Sequence, residues 1–276
     1  MIINKEIITS RNNQTVKWAS SLSTKKGREL SSSFIAEGEK LSIEALDAGL
    51  PVTHIFICES RKSEIMKKLS RYLDEKIYDN TEIITLSLSA FMKISTEMSP
   101  QGIISVIKYL DFFREIDIIY KEEFFVQRGE RIIILSSLRD PGNLGAVIRS
   151  AAAFGVEHII LTADSADLYN PKTVRSAMGS LFRVKATVVK DIKQCVRLLK
   201  ESGRRVFAAE LSDNAKSLSD VGLTSADAVI IGNEGHGIAS ELSAECTSSV
   251  YIPISKKTES LNAAVAAAVF MWEQSK

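Results

Sequence analysis

"RIIIL" at residues 131–135, followed by "SLRDPGNLGAVIRSAAAFGV" at 137–156, sets an apolar run, a Pro-Gly turn and a helix of small side chains end to end. The run has the length and composition of a strand buried on both faces, and Asp140-Pro141-Gly142 makes the turn that hands the chain to a helix. Asn143 is well suited to cap that helix and Gly155 to end it, while Ala146, Ala151, Ala152 and Ala153 let it approach a sheet closely. A strand-to-helix corner leaves Arg149 unexplained, since it is a charged side chain in an otherwise apolar helix, where its ordinary place is the solvated surface.

The same alternation extends in both directions. Towards the carboxy terminus the strand candidates are "EHIIL" (157–161), "ATVV" (186–189), "RRVFAAE" (204–210), "DAVII" (227–231) and "SSVYIPI", ending at Ile254, with helical patterns between most of them. Strands separated by helices predict a largely parallel sheet covered on both faces. Towards the amino terminus a helix over Asn12 to Leu30 precedes "FIAEG" (34–38), "THIFIC" (53–58), "EIITL" (82–86) and "GIISVIKYL" (102–110), a smaller α/β unit. Between Asp111 and Arg131 the pattern turns irregular and charge-rich, which reads as a linker able to carry a helical turn. The expected organisation is therefore a unit over 1–110, a linker over 111–130 and a larger unit over 131–276, consistent with a 276-residue chain exceeding the usual single domain.

Composition narrows the function classes. A 45% hydrophobic content can bury a sizeable core, and 35 basic against 34 acidic residues exclude a strongly charged or disordered chain, so any nucleic-acid surface is local. Ile7 to Arg28 is such a place: Arg11, Lys17, Lys25, Lys26 and Arg28 occur there without one acidic residue. A solvated helix face is the common meaning of such a run, and phosphate contact is the functional one. Cys58, Cys195 and Cys246 lie far apart with no C-x-x-C spacing, which suggests neither zinc nor a disulfide framework and fits a reducing cytoplasm. No basic-then-apolar leader opens the chain and no run approaches bilayer length, so a soluble cytoplasmic protein without a membrane partner is expected.

Two further stretches can carry chemistry. "AVIIGNEGHGIASEL" (228–242) runs from an apolar strand through three glycines into a helix, a corner where backbone or ligand can approach closely. Gly232, Gly235 and Gly237 give G-x-x-G-x-G, the wrong order for a dinucleotide site, and the acid such a site wants about 20 residues on, at the end of the next strand, is missing. A nucleotide-dependent oxidoreductase is disfavoured accordingly. "YIPISKKTESLNAAVAAAVFMWE" (251–273) puts Ser260 and Asn262 at the start of the last helix, with Leu261, Val265, Val269 and Trp272 as its expected buried stripe. Read from this segment alone, Ser260 is a helix cap. His54, His158 and His236 have no metal-ligand spacing; packing is the expected role of the first two, and His236, in the glycine loop, stays open.

Together, "DPGNLGAVIRSAAAFGV", "IIGNEGHGI" and "IPISKKTESLNAAVAAAV", in this order and spacing, resemble the three motifs of the SpoU family of RNA ribose 2′-O-methyltransferases. "DLYNPKTVRSAMGSLFRV" (167–184) is similar to the family's segment between the first two motifs, and residues 8–49 resemble the substrate-binding domain that many members carry. The resemblance implies an α/β SPOUT fold in which the last segment threads a deep trefoil knot, S-adenosylmethionine bound in the knotted loops without a metal, and a homodimer acting on structured RNA, ribosomal RNA ahead of transfer RNA. It implies catalytic roles for Asn143, Arg149, Glu234, Ser260 and Asn262, and cofactor contacts at Gly232, Ile252 and Leu261. The basic run then becomes a substrate-binding surface through Arg11, Lys25, Lys26 and Arg28. Two positions depart from the family pattern: Lys256 stands where many members have glycine, and Ala264 where serine is common. The family reading of the motif-one arginine is a general base. A guanidinium, which keeps its proton far above neutral pH, is better suited to clamp a phosphate and stabilise a developing alkoxide while Asn143 and Ser260 orient the ribose. The alternative to an enzyme is a catalytically silent RNA-binding or ribosome-assembly protein on the same scaffold.

Overall fold

The computed structural model describes residues 1–116, 126, 127, 129–255 and 257–276. Along the first part of the chain run β1 (Ile2–Ile8), α1 (Gln14–Ser21), α2 (Lys25–Ser31), β2 (Ser33–Glu37), α3 (Glu39–Asp47), β3 (Val52–Cys58), α4 (Lys62–Leu69), β4 (Glu82–Leu86), α5 (Leu88–Ile94) and β5 (Ile103–Lys108). There follow β6 (Phe113–Ile116), β7 (Ile132–Leu135), α6 (Pro141–Ala153), β8 (His158–Thr162), α7 (Pro171–Ala177), β9 (Lys185–Val189), α8 (Ile192–Glu201), β10 (Val206–Ala209) and β11 (Lys216–Ser217). The chain closes with α9 (Leu218–Val221), β12 (Ala228–Ile231), α10 (Ser240–Ser243), β13 (Ser248–Tyr251) and α11 (Ala263–Gln274).

These elements form two compact units, one of Met1–Leu110 with Asp167–Phe182, the other of Asp111–Ala166 with Arg183–Lys276. In the first, a five-stranded sheet of order β1-β4-β3-β5-β2 is mixed: β1 and β3 flank β4 in parallel, while β5 runs antiparallel to β2 and β3. Strand β1, "IINKEII", has no counterpart among the expected strands. Residues 167–182 follow the first motif in sequence yet pack here: Tyr169 stacks on Tyr109 with ring centroids 4.1 Å apart and accepts a hydrogen bond from the Leu110 N–H at 2.7 Å.

Arg28, expected on the RNA-binding surface, is buried instead. Its side chain is 2% exposed, donates to the carbonyls of Leu22 and Ser23 at 2.9 and 3.0 Å, and pairs with Asp167. A guanidinium so engaged holds α2 and residue 167 together and has no face left for a phosphate. Arg11, Lys17, Lys25 and Lys26 are exposed.

The second unit is an eight-stranded, all-parallel sheet of order β11-β13-β10-β12-β7-β8-β9-β6. Its central strands β7 ("IIIL") and β12 ("AVII") are buried at every residue, as strands covered on both faces must be. Phe113–Ile116, expected to be linker, is the edge strand beside β9, because its backbone can complete the sheet edge whatever its polar side chains do. The helical turn expected in that linker falls on residues 117–125 and 128, outside the described residues.

Helix α6 starts with Pro141, and its cap is Asp140, whose carboxylate accepts from the Asn143 N–H at 2.8 Å. The cap expected at Asn143 is thus one turn early in the chain, which leaves the Asn143 side chain to take partners outside its own helix. Helix α11 packs on α6, and its buried apolar residues are Ala263, Ala264, Ala267, Phe270 and Met271. Val265 and Trp272 of the expected buried stripe are 51% and 49% exposed. Gln274, buried at the far end of α11, donates to the carbonyl of Asp227 at 3.0 Å and so pins the helix to the start of β12.

Candidate active site

Strand order brings the carboxyl ends of β7, β10, β12 and β13 together, and in open α/β sheets ligands bind outside such ends. The loops there are tied by named bonds. Asn233, the residue after Gly232, donates from Nδ2 to the Ser137 carbonyl at 2.8 Å, joining the loop after β12 to the loop after β7. Its Oδ1 accepts from the N–H groups of Gly235 and His236 at 2.9 and 3.1 Å, shaping the glycine loop. Asn233 and Gly237 then exchange two backbone hydrogen bonds at 2.9 and 3.0 Å, which brings the loop's return limb against Gly232. A Cβ on Gly232 would lie 2.4 Å from the carbonyl carbon of Gly237, so the first glycine of the motif is required by close backbone approach.

One chain of hydrogen bonds crosses all three motifs. Asn262 caps α11, its Oδ1 accepting from the N–H groups of Ala264 and Val265 at 2.9 and 3.3 Å. The amide so oriented donates from Nδ2 to Asn143 Oδ1 at 3.0 Å, and Asn143 in turn donates from Nδ2 to Glu234 Oε1 at 2.9 Å. Each amide direction is enforced by its neighbour, from a helix start at one end to a carboxylate at the other. Partial burial alone would raise the Glu234 carboxyl. Hydrogen bonds from Asn143 and from the backbone of Glu234, Arg139 and Asp140 outweigh that and hold it below the usual carboxylate range. Glu234 is therefore an acceptor that sets Asn143.

Gly232, Glu234, Ile252, Ser260, Leu261 and Asn262 line a cavity of about 490 Å³, with Leu211, Ile254 and Phe270 among its apolar lining. Small-molecule sites have this size and this mixed lining. Ser260 is exposed and does not cap α11, the position its sequence suggested. Arg149 is exposed on α6, six residues and so about 9 Å along the axis from Asn143, and among the described residues no hydrogen bond or ion pair engages it. Asn233 is a site-shaping residue beyond those the motifs imply, and an Asx residue between glycines of a tight loop is its signal in the sequence.

Ala264 is buried in the first turn of α11, and Lys256 lies outside the described residues. His54 packs against Trp18, with centroids 4.7 Å apart, and His158 is buried. His236 is exposed on the glycine loop, with Nδ1 3.3 Å from Asn233 Oδ1. Among the described residues no group of His, Cys, Asp and Glu could hold a metal ion, and no helix is long and apolar enough to cross a membrane.

Known proteins match over nearly the whole length. Residues 130–272 match the model of the SpoU rRNA Methylase family, and residues 13–105 that of the MRM3-like substrate binding domain. The 23S rRNA (guanosine(2553)-2′-O)-methyltransferase RlmP of Bacillus subtilis is 31% identical over 265 residues, covering 96% of this chain and 97% of that protein. An rRNA methyltransferase from Sinorhizobium meliloti is similar in structure, with TM-score 0.80 and 27% identity over 99% of this chain and 98% of that one. A second structure of an rRNA methyltransferase from that organism, with AdoMet bound, has TM-score 0.79 and 27% identity over 99% of this chain and 97% of that one.

Proposed function

This chain belongs to the SpoU rRNA methylase family, and from that premise we propose how its own residues carry out S-adenosylmethionine-dependent 2′-O-methylation of a ribose in ribosomal RNA. The single observation that carries the reading is the Glu234–Asn143–Asn262 chain beside the 490 Å³ cavity, since it ties the three motifs into one site. The cavity suits the cofactor in size and lining: Gly232, Gly235 and Gly237 present backbone to it on one side, and apolar side chains face it on another. Gly232, Ile252 and Leu261 would hold the cofactor there, and when bound it supplies an activated methyl group on a sulfonium.

The chain's task is then to present a ribose hydroxyl in line and to favour loss of its proton. Asn143, held by Glu234 and Asn262, orients the ribose together with the exposed Ser260. Positioning of this kind lowers a barrier by several kcal/mol, about 7–11 in the best intramolecular cases. Arg149, with its free guanidinium, clamps the adjacent phosphate and stabilises the developing alkoxide. The amino-terminal unit contributes RNA phosphate contacts through Arg11, Lys25 and Lys26.

The same proposal includes three features of the whole molecule. A homodimer is supported by α11, which is apolar all round yet leaves Val265 and Trp272 half exposed, a face that a second copy would cover. Sedimentation of the intact chain beside Trp272→Glu tests it. A trefoil knot, made by threading of the segment after β13, is supported by the packing of α11 on α6 beside a backbone contact with no room for a side chain. A cytoplasmic location is supported by three free, buried cysteines and a ribosomal RNA substrate. Mapping 2′-O-methyl groups in RNA from a strain lacking this chain tests the function: one ribosomal RNA position should lose its methyl and regain it on complementation. An unchanged map overturns the reading.

A further inference from the structure

The acid that a ribose-reading site wants was missing downstream of the glycine corner, where the next strand ends "YIPIS". The sheet supplies one from upstream instead. Strand β10 pairs in parallel with β12, Ala208 opposite Ile230, and the same register carried two residues further sets Glu210 level with Gly232 on the neighbouring strand. Adjacent strands lie about 4.8 Å apart. Glu210 thus ends the strand beside the glycine corner although it precedes Gly232 by 22 residues (232 − 210) in sequence, and it lines the same cavity.

Its carboxylate is held in a one-sided way. The hydroxyls of Ser249, at 2.6 Å, and of Ser243 both donate to Oε1, and its backbone N–H donates to the Val250 carbonyl at 3.1 Å. Among the described residues no hydrogen bond reaches Oε2. A side chain fixed through one oxygen by two donors from β13 and α10 offers the other as a preset acceptor, with its ordering entropy already spent in the free protein. A carboxylate has acceptors only, so its ligand must bring donors, and the hydroxyls of a ribose are such donors. In α/β nucleotide sites the acid at the end of a strand beside the glycine corner takes this part.

We propose that Glu210 is a cofactor-specificity residue that accepts hydrogen bonds from the ribose hydroxyls of S-adenosylmethionine, with Ser243 and Ser249 as its positioning residues. The inference rests on the cofactor reading above. A methionyl ammonium and the adenine amino group are the other donors the cofactor could bring to this carboxylate, and binding measurements separate them from the ribose hydroxyls: a contact to the ammonium affects only ligands that carry it, and a contact to the adenine leaves the preference for the hydroxyls intact.

The test is calorimetric titration of the full chain with S-adenosylhomocysteine, its 2′-deoxy and 3′-deoxy analogues, and 5′-methylthioadenosine, which keeps the ribose and lacks the ammonium. The wild type should bind S-adenosylhomocysteine about tenfold or more tightly than at least one deoxy analogue, the worth of a hydrogen bond to a charged group. Glu210→Gln should reduce that preference to within about threefold, and should weaken S-adenosylhomocysteine and 5′-methylthioadenosine alike. Ser243→Ala with Ser249→Ala, which keeps the carboxylate but frees it, should move the preference the same way by a smaller factor, and melting curves of each variant register folding separately. If Glu210→Gln keeps the full preference for the ribose hydroxyls, or weakens only the ligand that carries an ammonium, the assignment is overturned. Failure of the wild type to bind S-adenosylmethionine itself would instead remove the cofactor reading, and this inference with it.

Discussion

Replacing Gly232 by alanine separates close approach from mere flexibility in the glycine loop. The added Cβ would lie 2.4 Å from the carbonyl carbon of Gly237, 2.6 Å from its oxygen and 2.7 Å from the Ile238 nitrogen, all backbone atoms without freedom to rotate away. Restoring an ordinary contact of 3.4 Å to that carbon needs a displacement of about 1 Å (3.4 − 2.4). The two bonds between Asn233 and Gly237, at 2.9 and 3.0 Å, do not survive such a separation. At about 0.5–1.5 kcal/mol each, their loss removes roughly 2 kcal/mol from the loop's ordered form, and about 30-fold in cofactor affinity if that form is the one that binds. Gly235→Ala is the matched control, since its Cβ would meet nothing nearer than Asn233 Oδ1 at 3.6 Å. Calorimetry with S-adenosylmethionine should show the loss for Gly232→Ala and affinity within about threefold of wild type for Gly235→Ala. Equal losses in the two variants, or none in the first, would refute the steric reasoning.

Three other outcomes follow from the same structure. Arg149→Lys should cut methyl transfer at least 100-fold with little movement of the pH–rate profile, because a point charge replaces a fork at a clamp; a profile displaced with the new group would mean that Arg149 takes the proton. Lys25→Ala with Lys26→Ala should leave the melting temperature unchanged while weakening RNA binding and flattening its salt dependence by up to about two units of slope, whereas Arg28→Ala should cost about 2–3 kcal/mol of stability by removing the buried guanidinium that bonds the Leu22 and Ser23 carbonyls and pairs with Asp167. The opposite pattern would return Arg28 to the RNA surface. Burial lowers the pKa of His158 despite the raising influence of Glu130, so the folded state binds fewer protons than the unfolded one; the resulting stability is complete above about pH 6.5 and is lost as pH falls through the folded value. Melting temperatures should drop between pH 7 and 5, and His158→Gln, less stable at pH 7, should show a flatter dependence over that window.

Much of the second unit is legible in its sequence because buried parallel strands write themselves as unbroken apolar runs, "IIIL" and "AVII" among them, and because three polar motifs punctuate their ends. What is not legible depends on partners far away in the chain. Arg28 reads as surface within a basic run, since nothing near it announces Asp167, 139 residues on. Residues 167–182 follow the first motif, yet Tyr169 finds its partners at Phe34 and Tyr109, so removal of residues 1–110 would strip apolar cover from Leu168, Tyr169 and Val174. Helix α11 is apolar on every side, so periodicity cannot say which face is inside. The cap at Asp140 rather than Asn143 turns on a choice between two residues of equal capping strength. Glu210 is invisible as a site residue until strand order sets β10 beside β12.

The most direct measurement is methyl transfer itself: the full chain incubated with methyl-labelled S-adenosylmethionine and unmodified ribosomal RNA, followed by digestion to nucleosides and mass spectrometry. The label should appear in a 2′-O-methylnucleoside at one position, and Asn143→Ala should abolish it while leaving cofactor binding within about threefold. Label on a base, or no transfer to RNA by a chain that binds the cofactor, would contradict ribose methylation by this site.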